Sequence, residues 1–208
     1  LMVKNIKRFR PLNNTIVLTN GVKEESYYVI SQSLLGLSKV SFNDAMSIAK
    51  NFENEKNSTV KNAVCAIYSE HGTAKQHPFL MKTAKEITGY GKYSFVNNYG
   101  NYLKNQDNKT IKDALPILKD FAQNEKTWWM RMAGINVLAD LDGMLTDRVD
   151  AAEKELKTIK PGNENELELK SKLKLAKENK QEVTDVLTII KTTEKHPRLR
   201  QMMGLSDE

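Results

Sequence analysis

A single cysteine among 208 residues leaves this chain no internal disulfide. Its three histidines, His71, His77 and His196, never form a His-Glu-x-x-His pair, so the ligand spacing of a helix-borne zinc site is missing. No Gly-x-Ser-x-Gly elbow, phosphate loop or Rossmann glycine pattern occurs. No apolar run approaches the roughly 20 residues that a membrane-spanning helix needs. The opening residues Leu1 to Arg8 hold no apolar stretch of a secretory signal, and the compartment stays open. Ten glycines and five prolines are few for this length, which leans the composition toward helix. Carboxylates are plentiful but spread along helix faces like solvating charges. No catalytic residue, metal ligand or cofactor-binding group is therefore assigned to this chain.

What the chain does have is one dense apolar stretch that recurs. Thr127 to Leu141 contains Trp128-Trp129-Met130, followed by Ile135, Leu138 and Leu141. Tyr27-Tyr28-Val29, Leu34, Leu37 and Val40 fall on the same positions. Weaker copies begin near Val60 and Tyr93. The column Leu37, Tyr68, Leu103, Leu138 advances in steps of 31, 35 and 35 residues. A period in the thirties is the mark of stacked helical hairpins.

Taken in order, residues 1–23 show only turn signals, Pro11 to Asn14 and Asn20-Gly21. Residues 1–24 are expected to be the tail of a preceding repeat. Tyr27, Ile30, Leu34 and Leu37 share one helix face. Ser41 caps a partner helix carrying Phe42, Ala45, Ile48, Ala49 and Phe52. Ser58 is expected to cap the next helix, which Gly72 ends, and His77-Pro78 opens its partner. The third hairpin covers Lys92 to Gln106 and Thr110 to Gln123, with a kink or a restart expected at Pro116. The fourth copy is expected to end at Asp142-Gly143, with Leu145, Val149, Ala152, Leu156 and Ile159 on a separate helix. Pro161-Gly162 breaks the chain before a charged terminal pair with thin apolar stripes, the form in which an array protects its open end. The resulting domain spans 25–200, with 201–208 a frayed tail. Breaks are expected near 53–57, 72–77, 89–92, 106–109 and 161–162.

Single residues favour structural roles. Cys65 sits among apolar positions and reads as a buried thiol. The three histidines read as helix-end residues. The repeat-position aromatics, Tyr27, Tyr28, Tyr93, Phe95, Tyr99, Tyr102, Trp128 and Trp129, read as packing groups rather than a platform for nucleic-acid bases. Two rings on one turn cannot point the same way. One of Trp128 and Trp129 is therefore expected to be largely buried, and the other to mark a partner surface with Arg131.

Three stretches carry a resemblance. They are Val60-Lys61-Asn62-Ala63 to Ile67-Tyr68-Ser69-Glu70-His71-Gly72, then Gly91-Lys92-Tyr93-Ser94-Phe95-Val96-Asn97-Asn98-Tyr99-Gly100, then Lys126-Thr127-Trp128-Trp129-Met130-Arg131. Together with the ending Glu194-Lys195-His196-Pro197-Arg198-Leu199, they resemble the C-terminal region of the gluzincin zinc aminopeptidases. This is the group of membrane alanyl aminopeptidase and leukotriene A hydrolase, in the versions of Bacteroidetes-type bacteria. The likeness covers about residues 25–200. It implies a bowl of helical hairpins closing over a thermolysin-like domain that holds zinc. The family's His-Glu-x-x-His, distal Glu and Gly-Ala-Met-Glu-Asn motif have no counterpart here, so zinc is implied for the parent enzyme only.

The expected fold is all-α, a right-handed array (α-solenoid) of about four HEAT-like helical hairpins plus a C-terminal helical pair. The expected function is that of a non-catalytic C-terminal domain of a zinc aminopeptidase. Its partners would be the catalytic domain of the same parent chain and the peptide substrates passing between them. The alternative is a stand-alone HEAT-like scaffold that binds a protein partner on its concave face.

A third function, nucleic-acid binding, follows from charge alone. Residues 1–104 hold 14 basic and 7 acidic groups, against 18 and 19 in 105–208. Four of the excess cations, Lys4, Lys7, Arg8 and Arg10, crowd one chain end and read as a solvated terminus. No nucleic-acid partner is expected. Any duplex-DNA binding seen at low salt should vanish by about 150 mM, because it would rest on counterion release alone. Electrophoretic mobility shifts across a salt series check this, and retention above that concentration would refute it.

Overall fold

The computed structural model describes residues 11–159 and 164–205. Among these every regular element is helical and no strand occurs, so the chain is all-α. The expected break at 161–162, the four N-terminal cations and the last three residues lie outside the described residues. Two compact units are distinguished, Leu1–Tyr102 and Leu103–Glu208.

In the first unit, α1 (Pro11–Gly21), α2 (Tyr27–Val40), α3 (Phe42–Ala49) and α4 (Ser58–His71) are followed by α5 (His77–Glu86) and α6 (Gly91–Lys104), whose last two residues belong to the second unit. The residues read as turns before Asn20 instead form α1. Proline is well tolerated at the first helical position, where no N–H is needed. Leu18 then gives α1 a tertiary anchor: it packs on α2, where Gly36 leaves room for its methyls. Ile30, Leu34 and Leu37 of α2 are buried, as the spacing predicts, but Tyr27 on the same stripe is about half exposed. Only Ser41 separates α2 from α3, and its hydroxyl donates to Asp44 rather than capping an amide. The cap of α4 is Asn57, not Ser58. Its carbonyl oxygen accepts from the amides of Thr59 (2.9 Å) and Val60 (3.4 Å).

Tyr68 is buried edge-on against Phe79 and donates to Glu53 at 2.6 Å. Beside it Phe95, Tyr99, Tyr102 and His77 form a stacked slab with centroids 5.4 to 6.2 Å apart. The Tyr102 hydroxyl donates to the Thr73 carbonyl at 2.8 Å, tying the α4–α5 connection to α6. Cys65 is fully buried, and burial pushes its thiol up to about 12.

In the second unit, α7 (Asn108–Asn124), α8 (Trp128–Thr158), α9 (Glu164–Thr193) and the short α10 (Pro197–Met202) pack together. Asp107 caps α7 through the Thr110 amide at 2.7 Å. α7 runs through Pro116 without restarting. Pro116 is exposed, as is Lys112, whose carbonyl its missing N–H would have engaged, so water can satisfy that group.

α8 departs most from the sequence reading. Instead of ending at Asp142-Gly143, it is a single helix of 31 residues. Leu138, Leu141, Leu145 and Val149 are spaced by three, four and four, and all are buried in one unbroken stripe. A lone glycine costs a helix only about 1 kcal/mol, which that burial outweighs. Of the residues assigned to a separate partner helix, Leu145, Val149, Ala152 and Leu156 therefore continue α8, and Ile159 caps its end.

Polar pairs record the register. Arg131 meets Glu194, Asp142 meets Thr184 and Glu153 meets Lys177, so α8 and α9 run antiparallel. Lys112 with Glu178 and Lys119 with Glu182 set α7 parallel to α9. In the tail, α10 runs to Met202 and a turn follows. Gly204 at φ +70° and Leu205 return their amides to the carbonyls of Gln201 and Arg200, at 3.0 and 2.9 Å, a paired C-terminal cap.

Two glycines of α8 test this packing. A Cβ on Gly134 would lie 2.7 Å from the Ala122 nitrogen and 2.9 Å from the Phe121 carbonyl carbon, both rigid backbone. At Gly143 it would meet nothing within 4 Å. Gly134→Ala should therefore destabilise by about 1–3 kcal/mol, while Gly143→Ala should stabilise by about 0.5–1 kcal/mol. Urea melts of the two variants check both signs. A loss at Gly143→Ala would mean that α8 breaks there.

Candidate interaction site

Trp128, Trp129 and Arg131 stand on the first turn of α8. None of them reaches the core, which α8 joins at Met130, 3% exposed, and continues with Ala133, Val137 and Leu138. Both tryptophans are half-buried, where the sequence reading expected one largely buried and the other on a surface, and neither belongs to the fully buried core. They lie at the very start of the helix, where the chain enters from Glu125–Thr127 and fewer neighbours can cover a ring.

The corner between α9 and α10 covers Trp128 instead. His196, the cap residue of α10, stacks on the Trp128 ring at 5.4 Å and 21°, and the Arg198 guanidinium sits 5.6 Å from its centroid. One side of the corner thus groups an imidazole, an indole and a guanidinium.

Arg131 is the fastening beneath. Its Nε donates to Glu194 Oε2 at 2.8 Å and Nη2 donates to Oε1 at 3.0 Å. Nη1 donates to the carbonyl of Glu125 at 2.9 Å. The Glu194 carboxylate also accepts from the His196 amide at 2.7 Å. The side chains of Arg131 and Glu194 are only 16% and 8% exposed, so this is a desolvated, bidentate pair. Burial alone would raise the Glu194 carboxyl. The hydrogen bonds from Arg131 and from the His196 and Lys195 amides outweigh that and hold it below its ordinary value.

A cleft of about 440 Å³ opens beside this pair, bordered by Ala122, Asn124, Ile190 and Lys195. The Glu194 carboxylate is saturated by donors and is not a free general base. What it presents outward is cationic and aromatic: Arg198, Lys195 and the uncovered parts of both indoles. Arg131 directs its donors to Glu194 and to the carbonyls of Glu125 and Lys126 within the chain.

The three histidines do stand at helix ends, as the last residue of α4, the first of α5 and the cap of α10. His71 stacks on Phe42 at 5.0 Å, and His77 belongs to the aromatic slab. Among the described residues no group of three or more His, Cys, Asp or Glu side chains could hold a metal ion. The aromatics read as packing groups divide in two. Phe95, Tyr99 and Tyr102 are core, whereas Tyr27, Tyr28 and Tyr93 at helix starts are exposed, Tyr28 by 66%. Sequence reasoning missed the partners of Arg131 and Trp128, which lie more than 60 positions away. The only available signal was that Lys126–Arg131 and Glu194–Leu199 both carried the family resemblance.

The folded-state carboxyl of Glu194 is depressed, so its contribution is present above the unfolded value of about 4.5 and is lost as pH falls through the folded one. Breaking a buried pair costs about 3–5 kcal/mol, so Glu194→Gln at pH 7 should lose a large part of that amount. The difference between wild type and Glu194→Gln should shrink as pH drops below about 4.5. Thermal melts at pH 7 and pH 3 read this. An undiminished gap at pH 3 would show that the charge is not responsible.

No family model, no curated protein and no solved structure matches this chain.

Proposed function

We propose that this chain is a non-catalytic helical-repeat domain of a zinc aminopeptidase. It would close over a zinc-bearing domain held elsewhere in the parent protein and shape the access of peptides to it. In this reading the helices form a right-handed array of hairpins, and the short links of α2 to α3 and of α4 to α5 are those of such hairpins. The observation that supports the reading best is the α8–α10 corner. Two of the stretches that carry the family resemblance, Lys126–Arg131 and Glu194–Leu199, meet there through Arg131, Glu194, Trp128 and His196. A bidentate buried pair and a stacked indole fasten a surface rather than perform chemistry. The outward half of the corner is a cation-and-aromatic face of the composition that protein interfaces favour.

The exposed rings of Tyr28 and Tyr90, 66% and 87% exposed, would equally suit a stand-alone scaffold. The reading frame upstream of Leu1 separates the two. It should encode a His-Glu-x-x-His helix with a distal glutamate, and co-expression of that region with this chain should give aminopeptidase activity lost on chelation. The chain alone should release nothing from aminoacyl p-nitroanilides. An upstream frame without a zinc motif would end the aminopeptidase reading and leave the scaffold. A chain active by itself would refute both.

A further inference from the structure

Two clefts of the second unit differ in charge. The larger, of about 490 Å³, is lined by Arg148, which donates from Nη1 to the Asn108 side-chain oxygen and from Nη2 to the Lys104 carbonyl, each at 3.0 Å. The exposed carboxylates Asp107 and Glu155 line the same cleft, and Lys172 there is paired with Glu168. Lys109, Arg148 and Lys172 thus face Asp107, Glu155 and Glu168, and this cleft selects neither sign.

The smaller cleft, of about 440 Å³ at the α8–α10 corner, is not balanced in this way. Its lining carboxylate, Glu194, is spent on Arg131. Further cations gather around it. Lys195 lines the cleft, and Lys191 precedes it by about one turn at the end of α9. Arg198 sits over the Trp128 ring. Lys126 leads into α8, its carbonyl accepting from Arg131 at 3.4 Å. Lys126, Lys191, Lys195 and Arg198 are all exposed, and none forms an ion pair among the described residues. Arg200 turns inward, its Nη1 donating to the Glu194 carbonyl. Glu125, the neighbouring carboxylate, is half-buried and already engaged within the chain. On the flanking helices Asp120 accepts from Asn124, Glu182 from Lys119 and Asp142 from Thr184.

We propose that this corner docks an acidic segment of a partner protein, a run of carboxylates lying along Lys126, Lys191, Lys195 and Arg198 beside the two indoles. In the proposed enzyme that segment belongs to the zinc-bearing domain, and to this extent the assignment rests on the corner being an interdomain surface. The surplus of exposed cations supplies the charge complementarity. The Arg131–Glu194 pair and the bond from the His196 amide to Glu194 fix the turn that carries Lys195 and Arg198, so little ordering is left for association. A nucleic acid fits less well. His196 and Arg198 already share the Trp128 ring, whereas base recognition uses bare aromatic platforms.

Trp128 and Trp129 are the only tryptophans of the chain, so its indole signals report on this corner alone. The full chain, labelled with nitrogen-15, is titrated with an acetylated, amidated octapeptide of alternating glutamate and serine. A control peptide replaces every glutamate by glutamine, and a short oligothymidylate of equal charge is the second control. The acidic peptide should shift the indole Nε1–H signals, with an affinity that falls as salt rises. The glutamine peptide should bind at least about tenfold more weakly. Lys191→Gln combined with Lys195→Gln should weaken the acidic peptide by a similar factor, since neither side chain touches a ring or holds the fold. Lys23→Gln combined with Lys75→Gln, an exposed pair of the first unit, should leave binding unchanged. The test needs no zinc-bearing domain, so its outcome is separate from that of the upstream reading frame. Equal binding of the glutamine peptide, unmoved indole signals at millimolar acidic peptide, equal weakening by the first-unit pair, or tighter binding of the oligothymidylate would overturn the proposal. Binding that begins only when residues 206–208 are deleted would assign the corner to the chain's own acidic end, Asp207-Glu208, and overturn it likewise.

Discussion

The second unit depends on how closely α8 can approach α7. At Gly134 the two backbones come so near that a single methyl would strike the main chain at Phe121 and Ala122. Along the seam α7 and α8 pack together, and Ala133, Val137, Leu138 and Leu141 of one helix and Leu115, Leu118 and Ala122 of the other are all buried. Tight packing of this kind favours one register, because interior atoms tolerate little displacement. Once α8 is seated, α9 lies antiparallel along it, and residues far apart in sequence become neighbours. The Arg131–Glu194 pair is a consequence of this register. Desolvating both charges is costly, and only the bidentate geometry with the extra amide donors offsets it.

The sequence was most legible where burial is periodic. Leu37, Tyr68, Leu103 and Leu138, picked out as one repeat column, are each at most 1% exposed. Helix ends were legible where a proline or a cap set the backbone, as at His77-Pro78. Reading failed where local punctuation was allowed to outweigh packing. Gly143 resembled a stop, yet an uninterrupted apolar stripe on both sides holds the helix together. Pro11 to Asn14 resembled a turn, yet Leu18 seven residues after Pro11 supplies the tertiary anchor that a short helix needs. The aromatics misled for a different reason. Composition does not tell a ring at a helix start, where neighbours are few, from one in mid-helix, and so Tyr28 and Tyr99 received one reading.

The candidate sites were less legible than the fold. Trp128 and Arg131 could be singled out as unusual, but not what they touch, because partners such as Glu194 and His196 follow only from the antiparallel return of α9. Arg148 carried no signal at all. It is one of many cations on a charged helix, and its distinction is that its hydrogen bonds end on the neutral oxygens of Asn108 and Lys104.

The two arginines divide the unit's polar chemistry by function. Each has its side chain held by backbone or side-chain oxygens of a neighbouring element, so neither is a floppy surface cation. At Arg131 every interaction ends within the chain, and the free energy of the pair goes into fastening the α8–α10 corner. At Arg148 the same kind of group is positioned and partly stripped of water, its hydrogen bonds end on two neutral oxygens, and the charge of Asp107 reaches it without an ion pair. An uncompensated buried charge lowers stability. The physical contrast is between a charge neutralised by a bidentate carboxylate at Arg131 and one held by neutral oxygens at Arg148.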